Sequence, residues 1–196
     1  PYSDPMYADQ SLSQYKDAMQ FAYDSEWHVL ADQHKFIVIY PQQPLENSAL
    51  RIGNPYNCFN WSGYYGEKVY KHEGGNESLY QMIQHVKSKY SVDNDRVFVT
   101  GLSAGGAMAT LMGATYPEEF AGVASMAGVA YHCGLNRGNA RADSFACMGV
   151  NDDYTFSAKC MTTACVQDQA LLHTPKQWGD FVRQKGSPGY TGDYPT

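Results

Sequence analysis

A chain of 196 residues, 43% of them hydrophobic, is long enough to form one domain around a buried core. Its formal charge of −6 and its scattered Lys and Arg residues exclude the concentrated basic patch that nucleic-acid binding requires. No apolar run approaches the roughly 20 residues that span a bilayer, so no membrane segment is predicted.

The cysteines indicate an oxidising compartment. Four of the five lie in a loop-rich stretch over 131–166, which is typical of disulfide crosslinks, each worth about 2–4 kcal/mol. No CxxC pair or histidine cluster accompanies them, so we predict no metal site. Because the number is odd, we expect pairing within 133–165 and no partner in the chain for Cys58. The full set is Cys58, Cys133, Cys147, Cys160 and Cys165.

Two further features agree with a secreted glycoprotein. Asn60-Trp61-Ser62 and Asn76-Glu77-Ser78 match the acceptor tripeptide for N-glycosylation. The chain begins at Pro1 without a signal peptide, so we expect a mature or truncated terminus there.

The first half of the chain predicts helices around one buried strand. Residues 25–33 have a helical pattern, and the apolar run over 36–40, ended by Pro41, is typical of a buried parallel strand. Apolar residues at 3-4-3-4 spacing predict an amphipathic helix over 78–90. The long intervening stretch over 45–75 predicts a functional loop.

The second half predicts a strand–helix–strand unit. The β-branched run over 96–100 predicts a strand, the small residues that follow predict a helix to about Thr115, and 121–127 predicts another buried strand. A last helix is predicted over 175–183. Strands alternating with helices indicate an α/β fold with a mostly parallel sheet and flanking helices.

Between that strand and helix lies Gly101-Leu102-Ser103-Ala104-Gly105, the pattern of a nucleophile elbow. A serine hydroxyl is a poor nucleophile until a base removes its proton, so a tight turn must expose it. Glycines at both ends of the motif suit a turn with little room for a Cβ. We predict Ser103 as the nucleophile and the Ala104 N–H, at a helix N-terminus, as an oxyanion donor.

The loop ahead of the elbow contains two aromatic residues that are candidates for substrate binding. Trp61 and Tyr64 have the side chains of a platform for a sugar ring or an aromatic acyl group. Packing of the loop against the sheet explains them equally well.

Four stretches of the chain resemble the secreted serine esterases that include polyhydroxybutyrate depolymerases, acetylxylan esterases and feruloyl esterases. Ordered likeness over most of 25–196 is more specific than the elbow alone. The stretches are 30–36 with 39–41, Cys58-Phe59-Asn60-Trp61, 92–109 with 114–117, and 174–180 with 188–192.

The resemblance implies a single α/β-hydrolase-like catalytic domain over 1–196 that cleaves extracellular carboxylic esters through an acyl-enzyme on Ser103. It implies acetyl or feruloyl polysaccharide, or polyhydroxyalkanoate, as substrate, and no cofactor. In this fold the acid and the histidine follow the serine, each after a later strand. The resemblance places those strands beyond Thr196, and the second oxyanion donor around 6–10.

Two alternatives stay open. Asp152 or Asp153 followed by His173 has the chain order of an internal triad. Alternatively, the protein is a catalytically incomplete relative or fragment with a binding, structural or assembly role. If 1–196 were the whole protein, we would expect an apolar sheet edge that is exposed or paired with another chain, and no histidine within about 3.2 Å of Ser103 Oγ.

Overall fold

The computed structural model describes residues 18–43, 59–63, 69–133, 147 and 173–195. None of the helices in these ranges is both long enough and apolar enough to cross a membrane. Predicted features that lie outside the described residues are Tyr64, Asp152, Asp153 and three of the cysteines, Cys58, Cys160 and Cys165.

Two short helices precede the predicted first strand. Helix α1 spans Ala18–Ser25 and helix α2 spans Trp27–His34, and Glu26 separates them with a φ of 56°. Lys35, at a φ of 60°, ends α2 and donates its N–H to the Ala31 carbonyl. The helix predicted over 25–33 is therefore confirmed as α2, whereas α1 was not predicted from the sequence.

The segment over 36–40 differs from its prediction as a buried strand. Its backbone pairs with no other strand in the described part of the chain, and Ile37 is 51% exposed. A continuous apolar run predicts burial on both faces, but a strand also needs a hydrogen-bonding neighbour. The two strands among the described residues pair only with each other.

The sheet in the described residues is built from one strand–helix–strand unit. Strand β1, Phe98–Leu102, pairs in parallel with strand β2, Gly122–Met126, in a register that runs from Phe98 opposite Gly122 to Leu102 opposite Met126. Helix α4, Ala104–Thr115, connects them and packs on one face of the pair. Both strands fall within two residues of their predictions, and the parallel pairing is confirmed.

Helix α4 is the centre of the core because its small residues allow close contact with the sheet. Nine of its twelve residues are buried. A Cβ on Gly113 would stand 3.7 Å from Val123 Cβ and closer still to a Val123 methyl group, so this glycine sets the spacing between α4 and β2. Helix α3, Gly74–Lys89, packs beside α4 through Leu79 and Ile83.

The opposite face of the strand pair is apolar and exposed. Phe98 is 67% exposed, Leu102 45% and Met126 50%. Parallel sheets are normally covered on both faces. Within the described residues, this apolar face of the strand pair is therefore left without a covering element.

The C-terminal part is attached to the core through a disulfide and a capped helix. Cys133 and Cys147 form a disulfide, as the pairing within 133–165 predicts. Trp178, on helix α5 (Pro175–Phe181), packs against it. Thr174 begins α5 with a capping box, in which its hydroxyl accepts the Gln177 N–H, and a π-helical turn, Val182–Gly186, follows.

A buried tyrosine joins α3 to the end of α4. Tyr116 is fully buried, donates its hydroxyl to Glu77 Oε2 at 2.6 Å and accepts the His72 N–H at 3.0 Å. The Tyr116 hydrogen bond is the main cause that lowers the Glu77 pKa below its usual 4.5. A depressed carboxyl pKa contributes stability above its unfolded value, and this contribution is lost as the pH falls.

We expect Tyr116→Phe to lower the free energy of unfolding by about 2 kcal/mol at pH 7, because it leaves the Glu77 carboxylate and the His72 N–H short of a partner. The loss should shrink as the pH falls from 4.5, the unperturbed pKa of a glutamate, through the lower pKa of Glu77 in the folded chain. Urea unfolding at pH 7 and pH 4 measures both effects. Tyr80→Phe is the matched control because the Tyr80 ring stacks on Tyr116 at 4.4 Å, and this variant keeps that stack. Equal losses of unfolding free energy in the two variants would contradict a stabilising role for the Tyr116 hydroxyl.

Candidate active site

Ser103 occupies the sharp turn that the sequence predicts. It lies between the end of β1 and the start of α4, and the residue is exposed. Its backbone has a φ of 56° and a ψ of −119°. Non-glycine residues avoid this region at a cost of about 1–3 kcal/mol, and such strain collects at functional sites. The geometry of the predicted elbow is therefore confirmed.

Hydrogen bonds on both sides of Ser103 maintain the turn. The Ser103 N–H donates to the Met126 carbonyl at 2.8 Å, which ties the elbow to the end of β2. The Ser103 carbonyl accepts the Ala107 N–H at 2.9 Å and begins α4. The elbow is thus connected to both neighbouring elements.

The two glycines of the motif differ in what they do. A Cβ on Gly101 would lie 2.8 Å from the Gly106 nitrogen and closer still to the Gly105 carbonyl, so only glycine fits at position 101. A Cβ on Gly105 would meet nothing within 4 Å in the described part of the chain. The expectation of crowding at both glycines is correct for Gly101 and wrong for Gly105, because the first turn of α4 packs its backbone against Gly101 of β1 while the Cβ position of Gly105 is open among the described residues.

The N-terminus of α4 provides the electrostatic part of the site. The first N–H groups of a helix have no intrahelical acceptor, and the helix dipole favours negative charge beside them. Ala104 is the first residue of α4, directly after Ser103, and the Ser103 side chain makes no capping hydrogen bond to the helix. Within the described residues, the Ser103 hydroxyl therefore does not cap the helix whose N-terminus lies beside it.

The two described histidines that follow Ser103 lie in an aromatic cluster. His132 stacks on Phe181 at 5.0 Å, and His173 packs edge-on against Trp178 at 4.7 Å. Both ring nitrogens of His132 and Nε2 of His173 are buried without a hydrogen-bond partner among the described residues. Burial first, and Lys185 second, lower the His132 pKa, which favours its neutral form.

These contacts place His132 and His173 in packing roles within the described structure. Neither His132 nitrogen reaches Ser103, and His173 is engaged by α5. Asp152 and Asp153, the acids of the alternative internal triad, lie outside the described residues. No described contact therefore supports that triad.

The loop residues near α3 pack inward. Trp61 is partly buried against the core cluster, which agrees with the packing explanation of this residue. Asn60 is 5% exposed and Asn76 is 1% exposed, and Asn76 Nδ2 donates to the Tyr70 carbonyl at 2.6 Å. Both acceptor asparagines are therefore buried in the described structure, and glycosylation of these tripeptides stays a prediction.

The end of β2 forms the second wall of the elbow, which sequence reasoning did not include. Ser125 donates its hydroxyl to the Gly106 carbonyl at 2.9 Å, and a Cβ on Gly128 would lie 2.6 Å from the Ala107 nitrogen. The available signal was the run of small residues over 121–128, which contains the strand predicted over 121–127. No group of three potential metal ligands occurs within the described ranges.

Comparisons with known proteins agree with this geometry. A family model described as Esterase PHB depolymerase matches residues 11–155, well over half of the chain. The Poly(3-hydroxyalkanoate) depolymerase C of Paucimonas lemoignei is 38% identical over 171 residues, which cover 87% of this chain and 34% of that protein. The Feruloyl esterase B of Neurospora crassa is 34% identical over 165 residues, which cover 84% of this chain and 47% of that protein.

A solved structure gives the same assignment. The acetyl xylan esterase from Aspergillus awamori matches with a TM-score of 0.61 and 26% identity, over 91% of this chain and 55% of that one. The chain thus spans about a third to a half of the curated relatives named here. The fold is α/β-hydrolase-like. With the elbow, the strand order and the extent of these matches in agreement, the chain belongs to the Esterase PHB depolymerase family.

Proposed function

We propose that this protein hydrolyses carboxylic esters through an acyl-enzyme on Ser103. The observation that carries the proposal is the backbone of Ser103, an exposed serine strained to a φ of 56° directly ahead of a twelve-residue helix. Backbone strain at an exposed serine that makes no capping bond has no evident structural purpose. The same conformation lifts the hydroxyl clear of the turn, as a nucleophile requires.

The reaction has two halves. In the first, a histidine takes the Ser103 proton while Oγ bonds to the ester carbonyl carbon, and the Ala104 N–H donates to the oxyanion. Collapse breaks the ester bond, and the histidine returns the proton to the leaving alcohol. In the second, the same base deprotonates a water whose oxygen attacks the acyl carbon. The bond from that carbon to Ser103 Oγ then breaks, the histidine returns the proton to Oγ, and the acid leaves. The described residues assign neither this histidine nor the carboxylate that orients it.

We propose a polymeric ester as the substrate. The relatives are named as a poly(3-hydroxyalkanoate) depolymerase, feruloyl esterases and acetylxylan esterases. The exposure of Ser103 supports access by a long chain, and the exposed part of Trp61, with Tyr64, is proposed to contact it. Small esters of the same acids are expected to serve as model substrates.

We further propose that the protein is secreted and that its sheet is completed by other residues. The Cys133–Cys147 disulfide supports an oxidising compartment. The apolar face formed by Phe98, Leu102 and Met126 is proposed to be covered by a segment outside the described residues or by another chain.

The test uses the protein in the form its source cell makes, whose intact mass is measured first. Poly(3-hydroxybutyrate) film, acetylated xylan and methyl ferulate are offered separately, and released acid is quantified. Rapid acid quench followed by peptide mass spectrometry should find an acyl group on the peptide that contains Ser103. Hydrolysis with the acyl group on a different residue, or no hydrolysis of any of the three, would contradict the proposal.

A further inference from the structure

The end of β2 contacts the start of α4 on both sides of Ala104. Met126 accepts the Ser103 N–H at 2.8 Å, just before the helix begins. Ser125 donates its hydroxyl to the Gly106 carbonyl at 2.9 Å, one turn into the helix. Two adjacent residues of β2 therefore bind the chain before and after Ala104, whose N–H is the proposed oxyanion donor.

The Ser125 hydroxyl lies in a closely packed position. A Cβ on Gly106 would lie 3.1 Å from Ser125 Oγ and 2.8 Å from the Met126 carbonyl oxygen, and a Cβ on Gly128 would overlap Ser125 Oγ. Both neighbours are glycines, so the hydroxyl approaches the helix backbone directly. The close approach fixes where the hydroxyl points and where the first turn of α4 can lie.

We propose that Ser125 is a positioning residue for acyl transfer at Ser103, an inference that rests on the proposed function. A strained backbone persists only when its surroundings over-determine it, and the Ser125 hydrogen bond fixes the helix side of the elbow. Without it, the first turn of α4 has more freedom relative to β2. A donor displaced by a fraction of an ångström still binds the ester but stabilises the oxyanion less.

Thr110 provides a matched comparison within the same structure. Its Oγ1 donates to the same Gly106 carbonyl at 3.1 Å. Thr110 belongs to α4 itself, so its hydrogen bond cannot tie the helix to the sheet. Loss of the Thr110 hydroxyl removes the same kind of bond from the same oxygen but leaves the link to β2 in place.

The experiment compares Ser125→Ala, Ser125→Thr and Thr110→Ala in the protein as its source cell makes it. We expect Ser125→Ala to lower kcat for p-nitrophenyl butyrate about tenfold, with KM within about twofold of the parent value. Ser125→Thr should restore most of kcat, and Thr110→Ala should stay within about twofold. Amide hydrogen exchange should be faster at Ala107 in Ser125→Ala only, because the Ala107 N–H bonds to the Ser103 carbonyl.

Three outcomes would overturn the proposal: an unchanged kcat in Ser125→Ala, equal losses in Ser125→Ala and Thr110→Ala, or a loss that appears only in KM. Absence of Ser103-dependent turnover in the parent protein would instead reject the proposed function. In that case the hydrogen-exchange measurement alone tests whether Ser125 holds the turn. Unchanged exchange at Ala107 in Ser125→Ala would show that the hydroxyl does not hold the turn.

Discussion

Ser103→Ala is expected to lower ester turnover at least about a thousandfold, because no other group replaces the nucleophile and only transition-state binding remains. The substitution should leave the fold intact. Ser103 is exposed, and its side chain makes no capping hydrogen bond to α4. An alanine at the same strained φ of 56° bears a similar backbone cost, so the free energy of unfolding should change little.

The measurement combines p-nitrophenyl ester kinetics with labelling by a fluorophosphonate probe, which reacts with activated serines. Both signals should disappear in Ser103→Ala. Ser88→Ala is a suitable control because Ser88 is an exposed serine on α3 whose hydroxyl donates to the carbonyl of His85 on the same helix. Turnover in Ser103→Ala above a few per cent of the parent rate would assign the nucleophile elsewhere.

Much of the nucleophile site could be predicted from the sequence because its determinants are local. Gly101, Ser103 and the small residues of α4 lie within one strand–turn–helix, and their backbone conformation follows from residue type. The contribution of Ser125 could not be predicted in this way. It depends on the register of β1 against β2, which places Gly101 opposite Ser125, and register is a tertiary property.

Elsewhere in the fold, too, local sequence predicts an element's type while tertiary contacts decide its bounds or its pairing. Helix α3 begins at Gly74, earlier than its apolar periodicity predicts, although glycine is a poor helix former. Packing explains the difference, since Asn76 in this first turn is buried and its side chain donates to the Tyr70 carbonyl. The segment over 36–40 is the converse case, because its residues favour a strand but pairing needs a partner that local sequence does not specify.

The two glycines that flank the elbow should respond oppositely to alanine. Gly101→Ala is expected to lower the free energy of unfolding by about 3 kcal/mol, because its Cβ would meet the Gly105 carbonyl and the Gly106 nitrogen. These are backbone atoms of the turn, so relief of the clash requires movement of Ser103 itself. Activity should therefore fall as well, by more than the population of unfolded protein explains.

Gly105→Ala, by contrast, should be neutral or stabilising by about 0.5–1 kcal/mol. Its Cβ meets nothing within 4 Å among the described residues, its φ is not positive, and alanine favours the helix and restricts the unfolded chain. Urea unfolding of the two variants gives the difference directly, and kcat for a small ester shows whether the space beside Gly105 is needed by substrate. A stable Gly105→Ala that loses kcat would place the bound ester against this glycine. Equal destabilisation by both alanines would contradict the packing of the elbow described above.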